Sequence, residues 1–427
     1  MERTNPAKPL SLKKNMLWNS AGSLFYLVCQ WLITVLVVRL SSGFDAAGLF
    51  SLATSVVGTF STLANYKIGT YQISDIHHEN SLAEYLGFRC VTLGIAFVGC
   101  LVYAIATCPI YSITTVILYY VYKSFGLLMD ILHGTDQQFR RMDYIGKSFI
   151  FQGIGSLVSF VAIFSVIKNL NAAIIGMTLC SMLVLIFYDC PKTKQFERLG
   201  IEIYLNKTAH LLATSLPAVI ASVAASAIFT IPKQYLLILS GDAALGIYSS
   251  IAAPALVIQM GAQYLYGPLL DIFPRHFFDG DMRDFSKLIV RTTASIIAVA
   301  ILCSLCLLVL GEPLLVIVFG EDIRPYVYLL QPVLLSTVMT AFLWFFTDLL
   351  ITVRDFKANL IGNIIALTSV VPLSFLFINA FGMNGVSFSG AGACLLGVAY
   401  LGLSLYRDAK KQSSRRAEAN NDQAISD

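Results

Sequence analysis

One charge in this chain sits where a charge is expensive. Lys123 falls well inside an apolar run of roughly residues 110–132, flanked by Tyr119, Tyr120 and Tyr122. An ionised side chain held in hydrocarbon costs about 3 kcal/mol or more, so it calls for a partner, water or a ligand. Tyr119, Lys123, Gly126 and Asp130 follow one another at i, i+4, i+7 and i+11, which lays a polar stripe along one helix face. The chemistry on offer is electrostatic: a cation lining an internal cavity and matched to an anionic ligand. A structural pair with a carboxylate elsewhere, or snorkelling toward the cytoplasm, is the competing reading.

Neutral polar groups accompany it. Asn15, Asn19, Gly22, Tyr26 and Gln30 lie close to one face of the first apolar run. The eighth run offers Gln259, Gln263 and Tyr266; the tenth offers Thr337, Thr340, Trp344 and Thr347, with Asp348 adjacent. Amides and hydroxyls sharing an interior suit a polyhydroxylated ligand, with aromatic rings on sugar faces. Taken singly, each also fits an interhelical hydrogen bond worth about 0.6–2 kcal/mol. Lys67 at the inner end of the second run, with Arg39 and Lys233 near the outer face, would place cations at both mouths or anchor at headgroups. Asp348 and Asp271 are candidates for a coupling proton or sodium ion, or solvated carboxylates at span ends.

Other chemistries find little support. Of nine cysteines, only Cys303 and Cys306 have Cys-x-x-Cys spacing, inside an apolar run with no second pair or His cluster nearby. They read as packing residues, and neither a metal, a cofactor nor a disulfide is expected. No phosphate-cradling Gly-rich Lys-Ser/Thr motif is present and no loop could house a nucleotide-binding domain, so direct use of ATP is not expected. Nor is a nucleic-acid partner.

The elements that position these residues follow from composition. Hydrophobic residues make up 57% of the chain and charged residues 13%, with mean hydropathy +0.73. Soluble domains carry about 25% charged residues, so this is an all-α polytopic membrane protein. A span needs about 20 mostly apolar residues. Twelve are expected, at 16–38, 46–66, 83–106, 110–132, 145–167, 171–189, 209–231, 244–270, 287–310, 327–351, 358–379 and 384–405. The run Pro313–Phe319 is too short to cross and is expected at the outer interface. Nothing resembles a cleavable signal peptide.

Lys and Arg fix the orientation. With the N-terminus inside, Lys123 apart, only Arg39, Lys168, Lys233 and Arg324 of the 29 fall outside. Both termini are then cytoplasmic. The expected organisation is a cytoplasmic N-terminal tail (1–15), a six-helix lobe (16–189), a cytoplasmic linker (190–208), a second six-helix lobe (209–406) and a disordered tail (407–427).

The lobes look duplicated. Ser42, Gly43, Ala46, Gly48 and Ser51 recur 198 residues later as Ser240, Gly241, Ala244, Gly246 and Ser249. The same shift pairs Ala64, Tyr66 and Gly69 with Ala262, Tyr264 and Gly267. An even number of helices separates the copies, so the repeats are parallel and related by an axis along the membrane normal.

The chain resembles the polysaccharide (oligosaccharide-lipid) flippases, Wzx-like, of the multidrug/oligosaccharidyl-lipid/polysaccharide exporter superfamily. The resemblance is carried by the Asn-dotted first helix after a basic N-terminus and by the turn Ala46-Ala47-Gly48-Leu49-Phe50-Ser51. Its echo Leu245-Gly246-Ile247-Tyr248-Ser249, the segment Asn65-Tyr66-Lys67-Ile68-Gly69 and the run Leu314–Glu321 add to it. It implies two lobes in a MATE-like V shape, alternating access and a cationic central cavity. The implied cargo is an undecaprenyl-diphosphate-linked oligosaccharide moved to the outer leaflet of a bacterial plasma membrane for capsule, O-antigen or a related polymer. Lys123 would meet the phosphates. Membrane lipids, and a polysaccharide polymerase with other assembly proteins, would be its partners, and it would not be an enzyme. The chief rival is an ion-coupled multidrug or small-molecule antiporter of the same architecture, which would want buried carboxylates. A major-facilitator transporter lacks support at Ile76-His77-His78-Glu79-Asn80, where its basic loop would stand, and a polymerase or ligase lacks the large outer loop it would need.

Overall fold

A computed structural model describes the chain except for residues 1–8, 42, 67, 76–79, 256–265, 267, 268, 270, 271, 280 and 427. The described residues form helices and connecting turns without a strand. Long apolar runs become long helices because a helix satisfies every backbone group internally, the condition for crossing hydrocarbon.

The first half reads α1 (Leu12–Leu40), α2 (Asp45–Asn65), a short α3 (Ile68–Ser74), α4 (Leu82–Thr107), α5 (Ile110–Gln138), α6 (Met142–Ile167) and α7 (Leu170–Val184). Local chemistry sets the ends. Ser81 and Glu84 form a reciprocal capping box at the start of α4, Pro109 precedes α5, and Asn169 accepts from the Ala172 amide at the start of α7. After α7 the chain widens into a π turn at Leu185–Asp189 and closes in α8 (Cys190–Thr193).

The second half comprises α9 (Leu205–Ala252), α10 (Ile272–Phe278), α11 (Met282–Phe319), α12 (Leu330–Thr352), α13 (Phe356–Phe381) and α14 (Asn384–Ser426). α9 is two helices meeting at Gly241, whose φ of 83° and ψ of 177° suit glycine and little else. Among the described residues eleven helices are long and apolar enough to cross a membrane. The expected eighth span, 244–270, begins within α9, and most of its remainder lies outside the described residues.

Two expectations change. Pro313–Phe319 is no separate interfacial segment: α11 continues through Pro313 to Phe319, a proline being tolerated inside a membrane helix where the freed backbone group can be re-satisfied locally. The tail expected to be disordered continues α14 to Ser426, in a stretch rich in Ala, Lys, Arg, Gln and Glu, all strong helix formers.

The chain divides into two compact units: residues 1–226 with 240–246, and residues 227–239 with 247–427. In the first, α1 lies against α6 at backbone contact, since a Cβ on Gly22 would strike the Gly146 backbone. The loop after α8 lies across the start of α4. Glu197 accepts from the Leu82 amide at 2.9 Å, the Glu202 amide donates to Ala83 O at 3.0 Å, and Lys207 pairs with Glu84 at 2.9 Å. The opening of α9 joins this unit because Tyr66 Oη donates to Leu212 O at 2.8 Å and Ser226 Oγ to Thr59 Oγ1 at 3.4 Å. In the second unit, Tyr266, Phe273, Phe277, Phe285 and Phe345 build an aromatic core between α10, α11 and α12. The outward face of α11 shows Leu302, Leu305, Leu308 and Val309, each more than half exposed, as a lipid-facing surface does.

Candidate functional site

α5 presents Lys123 half-buried, with its ammonium 5.9 Å from the Tyr119 ring centroid and 5.8 Å from that of Tyr122. Both are within cation–π range, which weakly offsets the lost hydration. Among the described residues it forms no hydrogen bond and no ion pair. One turn further along, a Cβ on Gly126 would meet no atom within 4 Å, so this face of α5 borders open space.

The far end of the stripe behaves differently. Asp130 is held by Arg89, Nη2 to Oδ2 at 3.2 Å, and is no partner for Lys123. Arg89 is fully buried and its fork also donates to Ala64 O at 2.8 Å and Asn65 Oδ1 at 3.1 Å, closing the end of α2. Asp130 therefore belongs to a structural ion pair, and the part of the stripe outside that pair runs from Tyr119 to Gly126.

α1 delivers two of the expected residues to the same place. Gln30 Nε2 donates to Tyr122 Oη at 3.0 Å and to Ser156 Oγ at 3.2 Å, and Tyr26 Oη lies 3.5 Å from Tyr122 Oη. Phe50 of α2 meets Tyr119 edge-on at 5.5 Å. Tyr26, Gln30 and Lys123 are thus one constellation on α1 and α5, with Ser156 of α6 behind it. Asn19, half-buried, stands two turns before Tyr26 on α1. Asn15 is structural: its amide binds Leu10 O at 3.1 Å and accepts from the Met142 amide at 2.8 Å.

The other expected residues lie elsewhere. Arg39 is exposed at the end of α1, and Lys233 is half-buried on the part of α9 in the second unit. Asp348 accepts from the Tyr266 hydroxyl at 3.0 Å. Lys67, Gln259, Gln263 and Asp271 lie outside the described residues. Sequence reasoning missed Arg89 and a buried group of His133, Asp136 and Asp189. The signal was available: ionisable residues at the ends of apolar runs, at helical spacing.

These features define an all-helical, multi-pass membrane protein of transporter architecture. Residues 12–277 match the profile of the family described as polysaccharide biosynthesis protein, and the chain belongs to that family. It is 22% identical over 384 residues to the capsular polysaccharide biosynthesis protein CapF of Staphylococcus aureus, covering 88% of this chain and 94% of CapF. Its fold is similar to the lipid II flippase MurJ in an inward closed conformation, with TM-score 0.69, 12% identity, and coverage of 93% of this chain and 90% of MurJ. The Vibrio cholerae MATE transporter VcmN is also similar, at TM-score 0.56 and 12% identity over 94% of this chain and 95% of VcmN.

Proposed function

We propose that this protein is a flippase that moves undecaprenyl-diphosphate-linked oligosaccharide from the inner to the outer leaflet of a bacterial plasma membrane, for capsule or a related surface polysaccharide. Transport, not catalysis, is its role. The observation that carries the reading is Lys123: a cation inside the spans without a carboxylate partner among the described residues, beside amide and phenol groups, on a face that borders open space. Family membership and the likeness to CapF and MurJ support it.

A diphosphate cannot cross hydrocarbon alone, because moving its charge out of water costs far more than lipid packing returns. Lys123 would compensate that charge while the polyprenyl tail stays among the lipids. Gln30, Tyr26 and Asn19 would exchange hydrogen bonds with sugar hydroxyls. Lys67, Arg39, Lys233, Gln259 and Gln263 would extend the polar path in an alternating cycle of lobes 16–189 and 209–406. Asp348 and Asp271 would carry any coupling ion. Hand-over to a polymerase would follow on the outer side.

The test is protein-dependent movement of a short fluorescent polyprenyl-diphosphate oligosaccharide in proteoliposomes, for wild type and Lys123→Ala. Movement that drops in the variant supports cargo and site together. Movement indifferent to the variant keeps the cargo and removes the site. No movement, in liposomes that exchange cationic dyes against protons or sodium, replaces the flippase with the antiporter.

A further inference from the structure

A second buried polar cluster lies on α5, about 15 Å further along the helix from Lys123 at 1.5 Å per residue. His133 and Asp136 stand at i, i+3 and so share one face. The π turn after α7 brings in Asp189, which a regular helix would place in another register. All three are buried, at 6%, 0% and 1% exposure.

Asp189 is well supplied with donors. Its Oδ1 lies 3.3 Å from His133 Nε2, and its Oδ2 accepts from Ser148 Oγ at 2.9 Å. Asp136 is not. Its Oδ1 accepts from Thr193 Oγ1 at 3.2 Å, while its Oδ2 is buried without a partner among the described residues. A fully buried carboxylate with one oxygen empty is the form least tolerated as an anion.

Among the described residues the neighbouring charges do not supply the missing cation. From α6, Asp143 faces the site, but Arg141 and Lys147 are both engaged with it, at 2.8 and 3.6 Å. Arg89 of α4 holds Asp130. Lys192 of α8 lies over the Tyr144 ring at 5.3 Å. α3 contributes the neutral Gln72, bonded to Thr135 Oγ1 and Ile131 O, and the π turn contributes the phenol of Tyr188. With His133 charged and both carboxylates ionised, one negative charge would remain in the cluster.

We infer that Asp136, coupled to the His133–Asp189 pair, is a proton-binding site of this protein: Oδ2 takes up a proton to neutralise the cluster and releases it when solvent or a conformational change reaches the site. The step is a simple transfer from hydronium to carboxylate: one O–H bond of hydronium breaks, one forms on Oδ2, and water is left; release reverses it. It does not depend on the identity of the cargo.

Infrared difference spectroscopy on the purified full-length protein reads this directly, without transport. Subtracting Asp136→Asn from wild type isolates the acid carbonyl stretch of Asp136 from all other carboxyls. The expected result is a stretch present at acid pH and lost as pH rises, with His133→Gln moving that loss to higher pH because the imidazolium no longer favours the anion. Should Asp136→Asn not fold, Asp136→Glu is expected to shift the same stretch in frequency. A pH-independent acid stretch would make Asp136 a permanently neutral structural group and overturn the proposal. So would the absence of any Asp136 acid stretch throughout the range.

Discussion

Gly48 and Gly246, 198 residues apart, make the same contact with each other's turn. A Cβ on Gly48 would strike the carbonyl of Asp242, and a Cβ on Gly246 would strike the carbonyl of Phe44 and lie 2.9 Å from the Gly48 amide. Phe44 and Asp242 are themselves separated by 198 residues. The contact is reciprocal, as a two-fold relation between parallel repeats requires. It lies wholly within the first compact unit. Duplication, read from letter matches, thus has a physical counterpart in which each copy's glycine accommodates the other copy's backbone.

That contact makes a prediction. Gly48→Ala and Gly246→Ala should each destabilise the folded protein by about 1–3 kcal/mol, the usual cost of overpacking. Gly58→Ala on the same α2, where no atom lies within 4 Å, should be neutral or slightly stabilising, since Ala is the better helix former. Thermal melts in detergent separate the cases, and equal effects at Gly48 and Gly58 would remove the packing argument.

Lys123 separates function from stability. Lys123→Met should lower flipping by about tenfold or more, a loss of ~1.4 kcal/mol in the barrier ledger. The melting temperature should hold or rise, because among the described residues no carboxylate loses its partner. A structural salt bridge would give the opposite pattern, with stability falling first.

Arg89 should behave in the reverse way. Arg89→Ala empties a fully buried position, takes the donor from Asp130 and Asn65 and leaves the Ala64 carbonyl with Thr92 Oγ1 alone, at 2.8 Å, so it should cost about 2–5 kcal/mol. Arg89→Lys should recover little, because one ammonium cannot reproduce a fork reaching Ala64, Asn65 and Asp130. Asp130→Asn should also cost stability, because it leaves the fully buried Arg89 guanidinium without its carboxylate, while the amide oxygen can still accept from it. Chemical denaturation midpoints order the three.

The Gln30–Tyr122 bond invites a double-mutant cycle with Gln30→Ala and Tyr122→Phe. Hydrogen bonds between spans are worth about 0.6 kcal/mol on average, so a coupling of that size is expected in stability. A larger coupling in flipping than in stability would mark the pair as holding the Lys123 face in place for cargo.

Much of this was legible in the sequence. The apolar runs, the repeated turn and the singular position of Lys123 needed only local composition and spacing, because burial of a helix in lipid depends on the summed hydropathy of consecutive residues. The grouping of Tyr26, Gln30 and Lys123 was legible in part: each lay on the polar face of its own helix, though nothing in the letters said that α1 and α5 meet at Tyr122.

The rest waited for the tertiary structure. Asp130 and Lys123 share a stripe by arithmetic, yet Arg89 reaches Asp130 from α4 and removes it from that site. His133 and Asp136 are near Asp189 only because a π turn shifts the register after α7. The helical tail beyond Arg407 and the passage of α11 through Pro313 likewise depend on how far each helix can propagate once formed. The sequence by itself determined which segments enter the membrane and which residues are costly there. Which of those residues are paired with a neighbour and which have no ion-pair partner among the described residues was decided by the rotation and adjacency of helices, since an ion pair needs two particular atoms within a few ångströms.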